Sequence, residues 1–252
     1  MSRARASNVK PMLVSFSGID GAGKSTQIEI LCTRLCQTGL RVGRLAFWDD
    51  VALLKRWREF TSHSVFGSEK GVGSPERPVN RRDKNVQSWY MNPVRWLIYF
   101  LDAMSLCLTV VKTQEAGDAD VVIFDRYLYD ELANLPLDHP ITRAYVRLLL
   151  NFAPQPDIAY WLDAEPSEAR ERKPEYPLEF LHRSRAAYTD LSEIAGVTVI
   201  APGSLQTVAT RIMRSFLKKF PVARLSDFAS VAEDQNPPRQ LFRDNETRAH
   251  PC

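Results

Sequence analysis

Met12-Leu13-Val14-Ser15-Phe16 runs directly into Ser17-Gly18-Ile19-Asp20-Gly21-Ala22-Gly23-Lys24-Ser25-Thr26. A short apolar run ends in a glycine-rich turn. The turn opens a segment, Lys24 to about Gln37, in which Ile28, Leu31, Cys32 and Leu35 recur at helical spacing. Gly18 to Ser25 fit G-x-x-x-x-G-K-[ST] between a strand and a helix, the context that this pattern requires. Glycines let backbone N–H groups curl around phosphate oxygens, and the helix N-terminus adds partial positive charge. Gly18, Gly21, Ala22, Gly23, Lys24, Ser25 and Thr26 are therefore the expected nucleotide cradle. In it Lys24 would neutralise β and γ phosphate oxygens, and the Ser25 hydroxyl would help to hold Mg²⁺. Asp20 is an unusual charge for a phosphate cradle. It makes either a local turn hydrogen bond or a contact to an acceptor or to the water shell of the metal.

Outward from this turn, strands and helices alternate. Gly39 stops the first helix, Arg41 to Phe47 reads as a second strand, and Val51 to about Phe60 as a helix. Periodicity fades from Thr61 to Pro93, a long loop that holds the basic cluster Arg81, Arg82 and Lys84 beside Trp89 and Tyr90. Val94 to about Thr113 is the longest apolar helix. Val121 to Asp125 is a nearly all-apolar strand of the kind found inside parallel sheets. Helices are expected at Ile141–Phe152, Leu178–Ala195 and Leu205–Phe220, and strands at Ile158–Leu162 and Val197–Ile200. This order predicts an α/β fold, a parallel sheet covered by helices on both faces. Residues 1–10 read as a flexible leader, 11–220 as the folded domain and 221–252 as a low-order C-terminal tail.

Asp125-Arg126-Tyr127 ends the buried strand, and the carboxyl ends of parallel strands converge on the ligand crevice. Asp125 is thus expected in the Mg²⁺ shell. Arg126 is expected on a phosphoryl oxygen, which a guanidinium can clamp with two bonds.

Composition narrows the field. The 33 Lys+Arg against 30 Asp+Glu leave a net charge of +3, too balanced for a dedicated nucleic-acid coat. No apolar run near 18 residues is evident, and the basic N-terminus lacks the apolar stretch of a secretory signal. The four cysteines show neither CxxC nor Cys–His spacing and read as thiols. A cytoplasmic protein with no membrane or nucleic-acid partner is expected.

With both motifs in place, the chain resembles the thymidylate kinase family of P-loop nucleoside monophosphate kinases. Phe16 to Thr26 looks like that family's opening, Asp125-Arg126-Tyr127 like its second signature, and Pro156–Asp163 with Glu165–Arg172 like its fourth strand and lid entry. The likeness covers about residues 10–220. It implies a P-loop NTPase fold with a five-stranded parallel sheet and a short lid, ATP and Mg²⁺ as the donor system, and a homodimer. It also implies γ-phosphoryl transfer to a nucleoside monophosphate, with Arg126 and Tyr127 at the acceptor and Asp20 near its sugar. Arg170 and Arg172 fall where lid arginines stand in members whose P-loop has none, and Ala201-Pro202-Gly203 where the last loop borders the adenine.

Two departures bear on the acceptor. The family places a phosphate-binding arginine after the second strand, where this chain has Phe47-Trp48-Asp49-Asp50. Asp49 and Asp50 would repel a phosphate unless Lys55, Arg56 or the metal compensated. The family's Asp-Arg pair near the thymine is replaced by Leu101-Asp102-Ala103-Met104. Two alternatives follow: a kinase for a hydroxyl- or amine-bearing small molecule, read by Asp49 and Asp50, or a nucleotide-binding regulator without turnover.

Overall fold

The computed structural model describes residues 10–52 and 92–220. The leader up to residue 9, the expected helix beyond residue 52, most of the 61–93 loop with its basic cluster, and the tail lie outside the described residues, as do Lys55 and Arg56.

β1 (Met12–Ser17) is buried along its whole length, because it lies in the middle of a five-stranded sheet. The strands β2 (Val42–Ala46), β3 (Val121–Asp125), β4 (Ile158–Leu162) and β5 (Thr198–Ile200) complete it in the order β2-β3-β1-β4-β5. Every pairing is parallel. This is the α/β architecture of P-loop NTPases. Strand alternation sorts the side chains. Met12, Val14 and Phe16 with Val121 and Ile123 face α1 (Lys24–Gln37) and the last helix, whereas Leu13, Val122 and Phe124 face the opposite layer. That layer holds α2 (Asn92–Ala116), α3 (Leu128–Leu132), α4 (Pro140–Phe152) and part of α6 (Leu178–Ala195). A short α5 (Pro166–Arg172) precedes α6, and α7 (Leu205–Lys219) ends the described chain beside α1.

Registers align the carboxyl ends of three strands. Phe16 stands opposite Asp125, and Asp125 opposite Ala46. The glycine turn after β1 and the Asp125-Arg126 pair after β3 therefore open onto one crevice.

The structure corrects four expectations. The second strand ends at Ala46, and Phe47–Val51 forms one π-helical turn closed by Ala52 N–H on the Phe47 carbonyl at 2.8 Å. α3 and α5 are helices that periodicity missed, since each is too short to show a repeat. The segment expected as a short lid is anchored: Ala169 is fully buried, and Tyr176 packs with Ile19, Trp161 and Tyr188. Finally, within α2 the stretch Arg95–Ala116 is long and apolar enough to cross a membrane, although no such run was expected. Its Tyr99, Asp102, Ala103, Leu106 and Val110 are buried, the packing of a helix laid on a sheet. Its outer side carries Leu97, Phe100, Met104, Leu108 and Val111 as an exposed apolar stripe, and Phe100 stacks on Phe152 of α4 at 5.4 Å. Among the described residues, Cys32, Cys36 and Cys107 are thiols outside any disulfide.

Candidate active site

The turn is shaped by what its glycines must avoid. Gly18 and Gly21 adopt φ of +144° and +83°. A Cβ on Gly18 would stand 2.7 Å from the Leu162 carbonyl oxygen, and one on Gly21 only 2.1 Å from that of Ala169. The cradle is therefore wedged between the end of β4 and α5, which only glycine allows. Lys24, the first residue of α1, is buried. Its Nζ donates to the carbonyls of Gly18 at 2.7 Å and Ile19 at 2.8 Å. Burial and then the nearby Arg126 charge push its pKa down to about 7, against the pull of Asp20, Asp130 and Asp125. Ser25 and Thr26 are exposed on the first turn of α1, and Gly23 has only the Arg172 guanidinium within 4 Å of the place of a Cβ.

Arg126 is the one non-glycine residue at positive φ, +69°, among the described residues. Its N–H continues the sheet by donating to the Phe16 carbonyl at 2.9 Å. The twisted backbone delivers the guanidinium between two carboxylates, Asp20 of the turn and Asp130 of α3, the latter at 2.9 Å. Burial alone would lower its pKa, but Asp130 and Asp20 outweigh burial and hold it charged. Asp20 is thus an ion-pair partner of Arg126. Asp125 faces Arg44 of β2 at 3.4 Å, and Arg44 also reaches Glu29 at 3.7 Å.

Asp130, Ser17 and Tyr188 are site residues that sequence reasoning missed. The Asp130 carboxylate accepts from the Ser17 hydroxyl at 2.7 Å, the Tyr127 N–H at 3.0 Å and the Tyr188 hydroxyl at 2.6 Å, besides Arg126. Its capping bond to Tyr127 N–H was readable in principle, because an acidic residue at the third helical position commonly reaches back in this way. Arg126, Asp130 and Tyr188 line a narrow crevice of about 30 Å³ with Gly18, Asp20 and Trp48.

Two expected acceptor contacts are placed elsewhere. Tyr127 is a core residue: its ring packs near Phe47, Phe124 and Tyr129, and its hydroxyl donates to the Pro154 carbonyl at 2.5 Å. Asp50 folds back onto its own turn and accepts from Ala46 N–H at 2.6 Å. Asp49 is exposed on the same turn, and Trp48, not Asp49, borders the crevice.

α5 brings Arg172, one of the two expected lid arginines, beside Gly23 of the cradle. Arg172 is exposed and ion-paired one turn back with Glu168 at 3.3 Å, Arg170 is half-buried, and Lys173 pairs with Glu175 at 3.3 Å. Arg185 of α6 pins the base of this segment with bonds to Asp163 at 2.7 and 2.9 Å and to Glu165 at 2.6 Å. Arg211 of α7 holds the Ala201-Pro202 loop through both carbonyls, at 2.8 and 3.1 Å.

The chain is similar in sequence to known thymidylate kinases. The thymidylate kinase of Bifidobacterium longum (strain DJO10A) is 29% identical over 192 residues, which span 72% of this chain and 84% of that protein. That of Pelodictyon phaeoclathratiforme is 24% identical over 234 residues, 83% of this chain and 97% of the relative. The probable thymidylate kinase of Archaeoglobus fulgidus is 26% identical over 216 residues, 82% and 96% respectively. No family model matches the chain.

Proposed function

We propose that this chain, a divergent thymidylate kinase-like phosphotransferase, moves the γ-phosphoryl group of ATP to a nucleoside monophosphate or a similar small acceptor. The observation that carries this is the placing of Arg126: a left-handed backbone turn holds its guanidinium beside Asp20, at the mouth of the glycine cradle. The donor phosphates lie in the turn from Gly18 to Thr26. There they replace the Gly18 and Ile19 carbonyls as partners of Lys24 and raise its proton affinity. Arg126 takes the acceptor phosphate, and Arg172 with Arg170 approaches the transferring group from α5. A phosphate nucleophile needs no strong base, so alignment and neutralised charge supply the catalysis.

The residues present fit a Mg²⁺ ion. Among the described residues there is no group of three His, Cys, Asp or Glu that could cage a metal. Mg²⁺ in phosphotransferases keeps waters and takes one or two protein oxygens plus phosphate. Ser25 and Asp125 would hold it, and when bound it neutralises charge on the β and γ oxygens.

One observation favours the second reading, a hydroxyl- or amine-bearing acceptor. The crevice sets two carboxylates, Asp20 and Asp130, against the single Arg126. ADP release from ATP-Mg²⁺ with nucleoside monophosphates, nucleosides and small alcohols separates the two. Turnover confined to monophosphates supports the first reading, and turnover with nucleosides or alcohols the second. A regulator without turnover is disfavoured by the joint presence of Lys24, Ser25, Asp125 and Arg126.

We also place the protein in the cytoplasm as a homodimer. The exposed stripe of α2, from Leu97 to Val111, is the apolar face suited to a second copy. Residues 1–10 and 221–252 are proposed as appendages to the kinase domain at 11–220.

A further inference from the structure

Asp130 has no part in the transfer as derived above, yet four donors converge on it. Oδ1 accepts from Arg126 Nη1 at 2.9 Å and from the Tyr188 hydroxyl at 2.6 Å. Oδ2 accepts from the Ser17 hydroxyl at 2.7 Å and from Tyr127 N–H at 3.0 Å. The donors come from β1, from the end of β3 and from α6, so the carboxylate is fixed from three directions. The Tyr188 ring is itself stacked on Trp161 at 6.2 Å. Burial, then the Asp130 charge, raises the Tyr188 pKa well above its ordinary value, which keeps its hydroxyl a donor.

The two carboxylates on Arg126 are therefore unequal. The Asp130 side chain is 1% exposed and cannot turn away without stranding three buried donors, from Ser17, Tyr127 and Tyr188. Asp20 is 15% exposed and lies within the glycine turn that must receive the donor phosphates. Nη1 belongs to Asp130 and Nη2 to Asp20.

We propose that Asp130 is a positioning residue: it holds Arg126 by Nη1, so that Nη2 passes from Asp20 to the acceptor phosphate without loss of the guanidinium's orientation. An incoming phosphate can compete for the outer nitrogen, while the inner bond keeps the plane of the fork. The proposal rests on the reading that Arg126 serves an acceptor phosphate.

The test is Asp130→Asn, which keeps size and removes charge. Misplacement of a substrate-binding group costs on the order of 10²-fold. Asp130→Asn should accordingly lower kcat/KM for the best monophosphate acceptor by roughly 10- to 100-fold, with KM for ATP within about twofold of wild type. In an Arg126→Ala background the same change should cost almost nothing more, because the two residues act as one unit. An equal loss in both backgrounds, or a matching rise in KM for ATP, would overturn the proposal. Should Asp130→Asn fail to fold, Tyr188→Phe removes one of the donors that fix the carboxylate. It should raise the acceptor KM in the same direction, and an unchanged acceptor KM counts against the proposal.

A second readout separates this proposal from the functional reading. In ligand-free Asp20→Asn protein, which retains the Asp130 carboxylate on Arg126, the two Nη groups should give separate ¹⁵N signals from hindered rotation, merged when Asp130→Asn is added. If no monophosphate is turned over, the functional reading fails and these signals alone decide. Signals already merged in Asp20→Asn, or still separate in the double variant, would refute the positioning role.

Discussion

The Ala169 carbonyl oxygen lies where a Cβ on Gly21 would stand, 2.1 Å away. The glycine turn and α5 are thus in backbone contact, and the helix that carries Arg170 and Arg172 is seated on that turn. Gly21→Ala should therefore disturb both at once. Left-handed strain alone costs about 1–3 kcal/mol, and the clash must also push α5 away. The expected result is a lower melting temperature together with weaker ATP binding, measured by thermal denaturation and calorimetric titration. Unchanged values for both would mean that α5 does not rest on the turn.

Lys24 makes the ligand-free protein sensitive to pH. Its pKa falls from 10.5 to about 7 on folding, first through burial and then through Arg126. Between these values the unfolded chain binds more protons at this group, so its contribution to stability grows as pH rises from about 7 toward 10.5. The slope is at most about 1.4 kcal/mol per pH unit. Lys24→Met removes this contribution. Denaturant melts of both proteins from pH 6 to 9 should show the variant ahead at pH 6 and the gap narrowing as pH increases. A gap independent of pH would show that Lys24 is charged and comfortable in the empty cradle. The same variant should lose turnover.

Arg172 has its guanidinium beside Gly23, and an exposed ion pair with the Glu168 carboxylate and a hydrogen bond from Nε to the Glu168 carbonyl at 3.1 Å hold it back. Such pairs contribute about 0.3–0.5 kcal/mol, a small barrier to swinging onto a transferring phosphoryl group. Arg172→Ala should lower kcat by roughly 10³-fold, the scale of an arginine finger, with little change in melting temperature. Losses under tenfold in both Arg172→Ala and Arg170→Ala would remove these arginines from the mechanism.

The exposed stripe Leu97, Phe100, Met104, Leu108 and Val111 repeats every three or four residues along α2. Sedimentation velocity should report a dimer for the wild type and a monomer for Leu108→Glu. A monomeric wild type would leave the stripe without the second copy assigned to it.

How much of this was legible follows from the range of the interactions. The run Met12–Phe16 and the turn after it carry their own signal, since a strand, a glycine turn and a helix start are contiguous. Val121–Asp125 is similar, because a strand buried on both faces is apolar throughout. Asp130 was legible only as a helix cap: its partners Ser17 and Tyr188 lie 113 and 58 residues away, and no local spacing announces their meeting. α5 was misjudged because its charged residues dominate the reading, while its small Ala169 does the packing. Tyr127 stands in a ligand-facing motif, but the left-handed turn at Arg126 sends its ring into the core.

The most direct test of the account is the steady-state kinetics of Arg126→Ala with ATP-Mg²⁺ and the best monophosphate of the panel. The account places Arg126 on the acceptor and not on the donor. It predicts a fall in kcat/KM for the acceptor of at least about 10³-fold, in line with loss of a charge-stabilising arginine, with KM for ATP changed less than about threefold. An acceptor kcat/KM close to wild type, or a loss expressed only in KM for ATP, would contradict it.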